Sequence, residues 1–127
     1  IGFCVLGGMF AEGIDFKGEQ LIGVIVVSVG LPQINEETDL IKAYFDENDQ
    51  KGFAYAYQYP GMNKVLQAAG RLIRDDADSG VIVLLDERYA SAAYRPLFPA
   101  HMRHYEIIHH EHELETHLEQ FWKEHSE

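Results

Sequence analysis

The chain has 127 residues, 46% of them hydrophobic, which supplies one buried core and fits one domain. A net charge of −11 argues against a free-standing nucleic-acid binder, whose footprint should be basic. No apolar run approaches the roughly 18 residues of a membrane span, nothing resembles a signal peptide, and the lone Cys4 cannot form an internal disulfide. A reducing cytoplasm and no membrane partner are therefore expected.

Residues 3–6 read as a short buried strand that ends at the Gly7-Gly8 break. The chain opens on this run without an initiator methionine, so it reads as an excised piece with its sheet cut on the N-terminal side. The Gly-rich segment 8–16 follows, at the end of a strand, where parallel α/β sheets place ligand-binding residues. Residues 21–29 form a β-branched run with no polar alternation until Ser28, as expected of a parallel strand buried on both faces. After Gly30-Leu31-Pro32, the string Asn35-Glu36-Glu37-Thr38 opens a helix to about Asn48, with Leu40, Ile41, Tyr44 and Phe45 on its apolar side.

Phe53, Tyr55, Tyr57 and Tyr59 then alternate with other residues, a period of two that fits a strand edge or rings offered to bases. Residues 67–74 fall in the middle of a short helix. At about 100° per residue, Gln67, Gly70, Arg71 and Arg74 share one side, and Met62, Val65, Leu66, Ala69, Leu72 and Ile73 share the other. Gly70 costs such a helix about 1 kcal/mol relative to alanine, which implies close approach of another group to the backbone. Two guanidiniums on a rigid support suit the charge on a transferring phosphoryl group.

A second buried strand is expected over residues 81–85, followed by Asp86, Arg88 and Tyr89. Arg88 either positions Asp86 or the arginine helix, or forms a structural ion pair. Residues 94–99 read as an extended surface segment leading to His101-Met102, and residues 105–108 have the composition of one more short strand. Leu114, Leu118, Phe121 and Trp122 mark the apolar stripe of a helix from about Glu111 to His125, which should dock on the sheet. His101, His104, His109, His110, His112, His117 and His125 meet no fixed ligand pattern and have no cysteine beside them, so no metal site is assigned.

Gln67-x-x-Gly70-Arg71-x-x-Arg74 resembles motif VI of superfamily 2 helicases at every fixed position. The stretch from Tyr59-Pro60-Gly61-Met62 to Asp86-Glu87-Arg88-Tyr89 looks like the DinG/XPD branch, and Glu12-Gly13-Ile14-Asp15 resembles its motif V. The resemblance covers roughly residues 3–103. It implies an α/β fold: a RecA-like second helicase lobe, a parallel sheet flanked by helices, with residues 1–127 as a single domain.

The resemblance further implies an ATP-dependent DNA helicase that couples hydrolysis to movement along single-stranded DNA. Arg71 and Arg74 would act as arginine fingers, and Gln67 would orient the nucleophile region or link the fingers to the DNA side. Asp15, Gly13, Glu12 and Gly70 would face the nucleotide, and Gly8, Met9 and Phe10 would contact the DNA backbone. ATP and Mg²⁺ would be held mainly by the first lobe of the same protein, because this chain has neither a phosphate-binding loop nor an acidic Mg²⁺ motif. Alone it is expected to be inactive. Many members of the branch carry a four-cysteine iron–sulfur site, which belongs to their first half and has no counterpart here. A non-catalytic interaction or regulatory domain on the same fold is the alternative reading, with the acidic face and the Leu114/Phe121/Trp122 stripe meeting a protein partner. A stand-alone nucleotide-binding enzyme is a third.

Overall fold

Valine and isoleucine in two short runs build the centre of the fold. In the computed structural model, which describes residues 1–8, 21–73 and 78–125, β1 (Gly23–Val27) and β2 (Val81–Leu85) pair in parallel. Register runs from Gly23 opposite Val81 to Val27 opposite Leu85. The pairing is extended at both ends, where Val81 N donates to the Ile22 carbonyl (3.1 Å) and Ser28 N donates to the Leu85 carbonyl (3.1 Å). Two compact units result, Ile1–Tyr89 and Ala90–Glu127.

In the first unit, β1 leads to α1 (Glu36–Asp49), then to a π-helical turn (Ala54–Gln58) that runs directly into α2 (Tyr59–Ala69) and on to β2. Asn35 caps α1 as its sequence implies: Thr38 N donates to Asn35 Oδ1 (2.9 Å), and Asn35 N donates back to Thr38 Oγ1 (3.0 Å). Helix α2 packs on the sheet and supplies much of the core, with Met62, Val65 and Ala69 buried beside Val26 and Val29. Its approach depends on Gly61, where an added Cβ would lie 2.7 Å from the Val29 carbonyl oxygen.

Several sequence expectations change. Residues 3–6 form no strand, and Phe3 is 97% exposed; in the described residues β1 pairs with β2 alone, so this run has no neighbour to take its backbone hydrogen bonds. Cys4 is accordingly exposed rather than buried. The sheet is not buried on both faces: Val26 is 3% exposed, whereas Ile25 and Val27 on the opposite face are each 67% exposed. Leu40 and Tyr44 of α1 are also exposed, so the apolar side of that helix lies at the surface.

The alternating aromatics do not form a strand. They lie on the helical stretch 52–59, where Tyr55 stacks on Phe45 (ring centroids 4.2 Å apart) and meets Tyr59 edge-on (5.2 Å). Tyr57 is buried and its hydroxyl donates toward Asp39 Oδ1 (3.2 Å), with Thr38 Oγ1 equally near (3.2 Å). A π-turn closes on residues five apart, and the packing of this turn against α1 overrides the local alternation.

A 3₁₀ turn (Glu87–Ala90) ends the first unit, and the described residues of the second hold two more (Arg95–Leu97 and Ala100–Met102) and α3 (Glu111–His125). Phe98 and Tyr94 are buried aromatics of the second unit. Residues 105–109 are irregular, so the expected short strand is not formed. Helix α3 matches its expected span, and Leu114, Leu118, Phe121 and Trp122 are half-buried along it. Glu113 anchors its start by accepting from the backbone N–H groups of His109 (3.0 Å) and His110 (3.3 Å), which hold its carboxyl below the ordinary glutamate range. Among the described residues no helix is long and apolar enough to cross a membrane.

Candidate functional site

The α2 stripe fixes where its polar residues point. Met62, Val65, Ala69 and Leu72 are buried, as the helical periodicity requires, while Gln67 on the other side is exposed. The helix does not carry this pattern to residue 74. It ends at Ala69, and Gly70 caps it in a right-handed conformation (φ −66°, ψ −7°). Gly70 N donates to the Leu66 carbonyl (2.8 Å), and Arg71 N and Leu72 N donate to the Ala68 (3.3 Å) and Ala69 (3.1 Å) carbonyls. The motif VI-like residues therefore straddle a helix C-terminus, where unsatisfied carbonyls favour a cation such as Arg71.

Gly70 is not needed here for a left-handed turn. Among the described residues, an added Cβ would meet atoms of its own helix, the Leu66 carbonyl oxygen at 3.1 Å and the Gln67 carbonyl oxygen at 3.7 Å. Ile73, assigned to the core by periodicity, is 44% exposed because the helix has already ended. Leu72 is instead the last anchor. It is 4% exposed, and its two methyl groups fill the space above Gly80, where a Cβ would lie 2.7 and 2.9 Å from them. Arg74 lies outside the described residues, as do Met9, Phe10, Glu12, Gly13 and Asp15 of the motif V-like segment. Gly8 is described: its N–H closes a turn on the Val5 carbonyl (2.9 Å).

A second constellation sits at the carboxyl ends of both strands, the edge where parallel sheets carry ligands. Arg88 grips Asp86 with two donors, Nε to Oδ1 (2.8 Å) and a terminal nitrogen to Oδ2 (2.7 Å), and the same guanidinium reaches Ser28 Oγ (3.3 Å). Tyr89 Oη donates to the Ser28 carbonyl (2.7 Å). The Arg88 hydrogen bonds hold the Asp86 carboxyl below the ordinary aspartate range. Of the readings open for Arg88, the Asp86 ion pair is formed, and the Ser28 contact of the same guanidinium ties the end of β2 to the end of β1. Ser28 itself adopts a left-handed backbone (φ 70°). Sequence reasoning missed it, because a serine in a β-branched run gives no sign of that conformation.

The histidines gather no metal set. Among the described residues no three His, Cys, Asp or Glu side chains are grouped to hold an ion. His117 pairs with Glu106 (3.0 Å), and His125 lies on the Phe121 ring (4.1 Å).

Against this geometry, the family described as helicase C-terminal domain matches residues 1–105. The chain belongs to that family. It is 35% identical over 108 residues to the regulator of telomere elongation helicase 1 homolog of Caenorhabditis briggsae, covering 78% of this chain and 11% of that protein. It is 34% identical over 96 residues to the ATP-dependent DNA helicase chl-1 of Caenorhabditis elegans, covering 73% and 11%. With the ATP-dependent DNA helicase DDX11 of Danio rerio the identity is 32% over 109 residues, covering 80% and 12%. The chain thus spans about a ninth of the length of these relatives. The helicase C-terminal domain has the RecA-like α/β fold expected from the residues, and its relatives are helicases of the DinG/XPD branch.

Proposed function

We propose that residues 1–127 are most of the second motor lobe of an ATP-dependent DNA helicase. In the complete enzyme this lobe closes on ATP and Mg²⁺ held by the first lobe, and Arg71 and Arg74 reach the γ-phosphate. Gln67 links those fingers to the DNA side, with Gly70 beside them. Asp15, Gly13 and Glu12 sense the nucleotide, and the segment Gly8, Met9 and Phe10 contacts the single strand. Hydrolysis then depends on lobe closure, which couples it to movement along DNA.

The observation that carries this reading is the end of α2. Its buried stripe and the Leu72 anchor hold one side in the core, while Gln67 is exposed in its last turn and Arg71 directly follows its Gly70 cap. A guanidinium fixed on a core-anchored terminus needs little reorganisation to meet a developing charge.

The test is DNA-stimulated ATP hydrolysis by the full-length protein, wild type beside Arg71→Ala and Arg74→Ala, with this chain alone as a control. Each substitution is expected to lower turnover by about 10³–10⁵ while ATP affinity stays within about tenfold. Undiminished turnover in both variants, or hydrolysis by the chain alone, would refute the reading.

A further inference from the structure

The acidic excess of this chain is unevenly spread, and several runs lack acids altogether. Residues 90–105 contain no aspartate or glutamate, although the chain has 21 of them, and they contain Arg95, Arg103, His101 and His104. The two arginines converge. With Tyr105 they line a surface cavity of about 240 Å³ within the second unit.

Each guanidinium is oriented through one nitrogen. Arg95 Nε donates to Tyr105 Oη (3.1 Å), and Arg103 Nε donates to the Phe98 carbonyl (2.9 Å). Both bonds rest on a firm base, because Phe98 is 2% exposed and the Tyr105 ring packs against it with centroids 5.0 Å apart. Pro96 and Pro99 stiffen the 3₁₀ turns in between. The ion pairs of the described residues, Lys42–Asp46, Arg88–Asp86, His117–Glu106 and Lys123–Glu119, include neither arginine. Glu106, the nearest acid in sequence, is engaged by His117 at 3.0 Å.

We propose that Arg95, Arg103 and Tyr105 bind a phosphate group of a single-stranded polynucleotide. Two planar forks whose Nε positions are already committed present their terminal N–H groups, the arrangement that grips a phosphate by paired hydrogen bonds. Tyr105 adds an aromatic ring beside the charged forks, the combination by which single strands are held without sequence preference. The absence of acids from residues 90–105 favours a polyanion here, because no carboxylate of this run repels it. That the phosphate belongs to a strand, rather than being free, rests on the helicase reading above.

The experiment is a fluorescence-anisotropy titration of labelled oligo-dT with the full-length protein over a range of salt concentrations. Wild type is compared with Arg95→Gln/Arg103→Gln and Arg95→Lys/Arg103→Lys. The glutamine pair is expected to weaken binding about tenfold or more and to reduce the salt slope by about 0.7, the value for one lost phosphate contact on a single strand. The lysine pair is expected to keep most of the salt slope while losing part of the affinity, since it retains charge and loses the fork. Unchanged affinity and slope in both pairs would overturn the proposal. Should the glutamine pair fail to fold, the lysine pair decides alone, because wild-type affinity in it would equally overturn the fork. Inorganic pyrophosphate is added as a competitor at matched ionic strength, and displacement of the oligonucleotide by it would reassign the site to a free phosphate. Hydrolysis lost in Arg71→Ala with oligo-dT binding insensitive to Arg95 and Arg103 sinks this site alone. The reverse pattern sinks the motor reading and leaves the site.

Discussion

Asp86 is where residue chemistry turns into a measurable pH dependence. Its folded-state pKa is depressed by the Arg88 hydrogen bonds, so the stability it contributes is present above the unfolded carboxylate value of about 3.9 and is lost as pH falls through the folded value. Arg88 is partly exposed, and solvent screening keeps the effect modest. Asp86→Asn should therefore lower the urea midpoint at neutral pH and flatten its decline below about pH 4. An identical acid profile in both proteins would show that the pair contributes nothing to folding. This cluster was half legible: Asp86 and Arg88 two residues apart at a strand end invite an ion pair. Ser28 was not, because its tie to Arg88 and Tyr89 spans 60 residues and depends on the parallel register.

At the scale of elements, glycine sets how closely the layers meet. Gly61→Ala would drive a methyl group into the Val29 carbonyl oxygen, a backbone atom that cannot swing away, and should cost about 1–3 kcal/mol in chemical denaturation. Leu72→Ala should cost about 2–5 kcal/mol, since it empties the space over Gly80. If the Leu72 anchor holds the arginine turn, this variant also loses turnover out of proportion to its stability. Elements with strong local signals were read correctly from the residues: the Asn35 cap of α1, the β2 span, and α3 from Glu111 to His125. The end of α2 was misplaced because residues 70–73 continue a helical hydrophobic pattern with no stop signal beyond Gly70. The segment 3–6 was misread because four apolar residues say strand only when a neighbour exists.

The whole molecule combines a high negative charge with a sheet covered on one side. Among the described residues, Ile25, Val27 and Leu85 lie exposed on one face of the sheet. Such a surface should bind the hydrophobic dye ANS at neutral pH in the folded state, and Ile25→Thr/Val27→Thr should reduce the signal without loss of secondary structure. Dye binding unaffected by the double substitution would place the apolar surface elsewhere. Periodicity could not have shown this face, since a β-branched run reads the same whether one side or both are covered. The Gln67 to Arg74 pattern, by contrast, was legible from residue types alone, because fixed spacing of charged and small residues survives uncertainty about helix ends.

The π-turn at Ala54–Gln58 carries an implication for how this segment tolerates changes in length. A π-turn holds one more residue than the α-helix it interrupts, so the continuous helical stretch 52–69 behaves as an α-helix with a single residue spliced in. Removing one codon there would let the helix heal, and everything upstream would rotate by about 100° relative to the arginine end. Gly52, whose N–H donates to Asp46 of α1, would turn away from that helix while Gln67 and Arg71 stayed in place. The spliced residue thus works as an indexing pin between the aromatic half of this helix and its cationic end, and chain length at this point should prove less forgiving than side-chain identity.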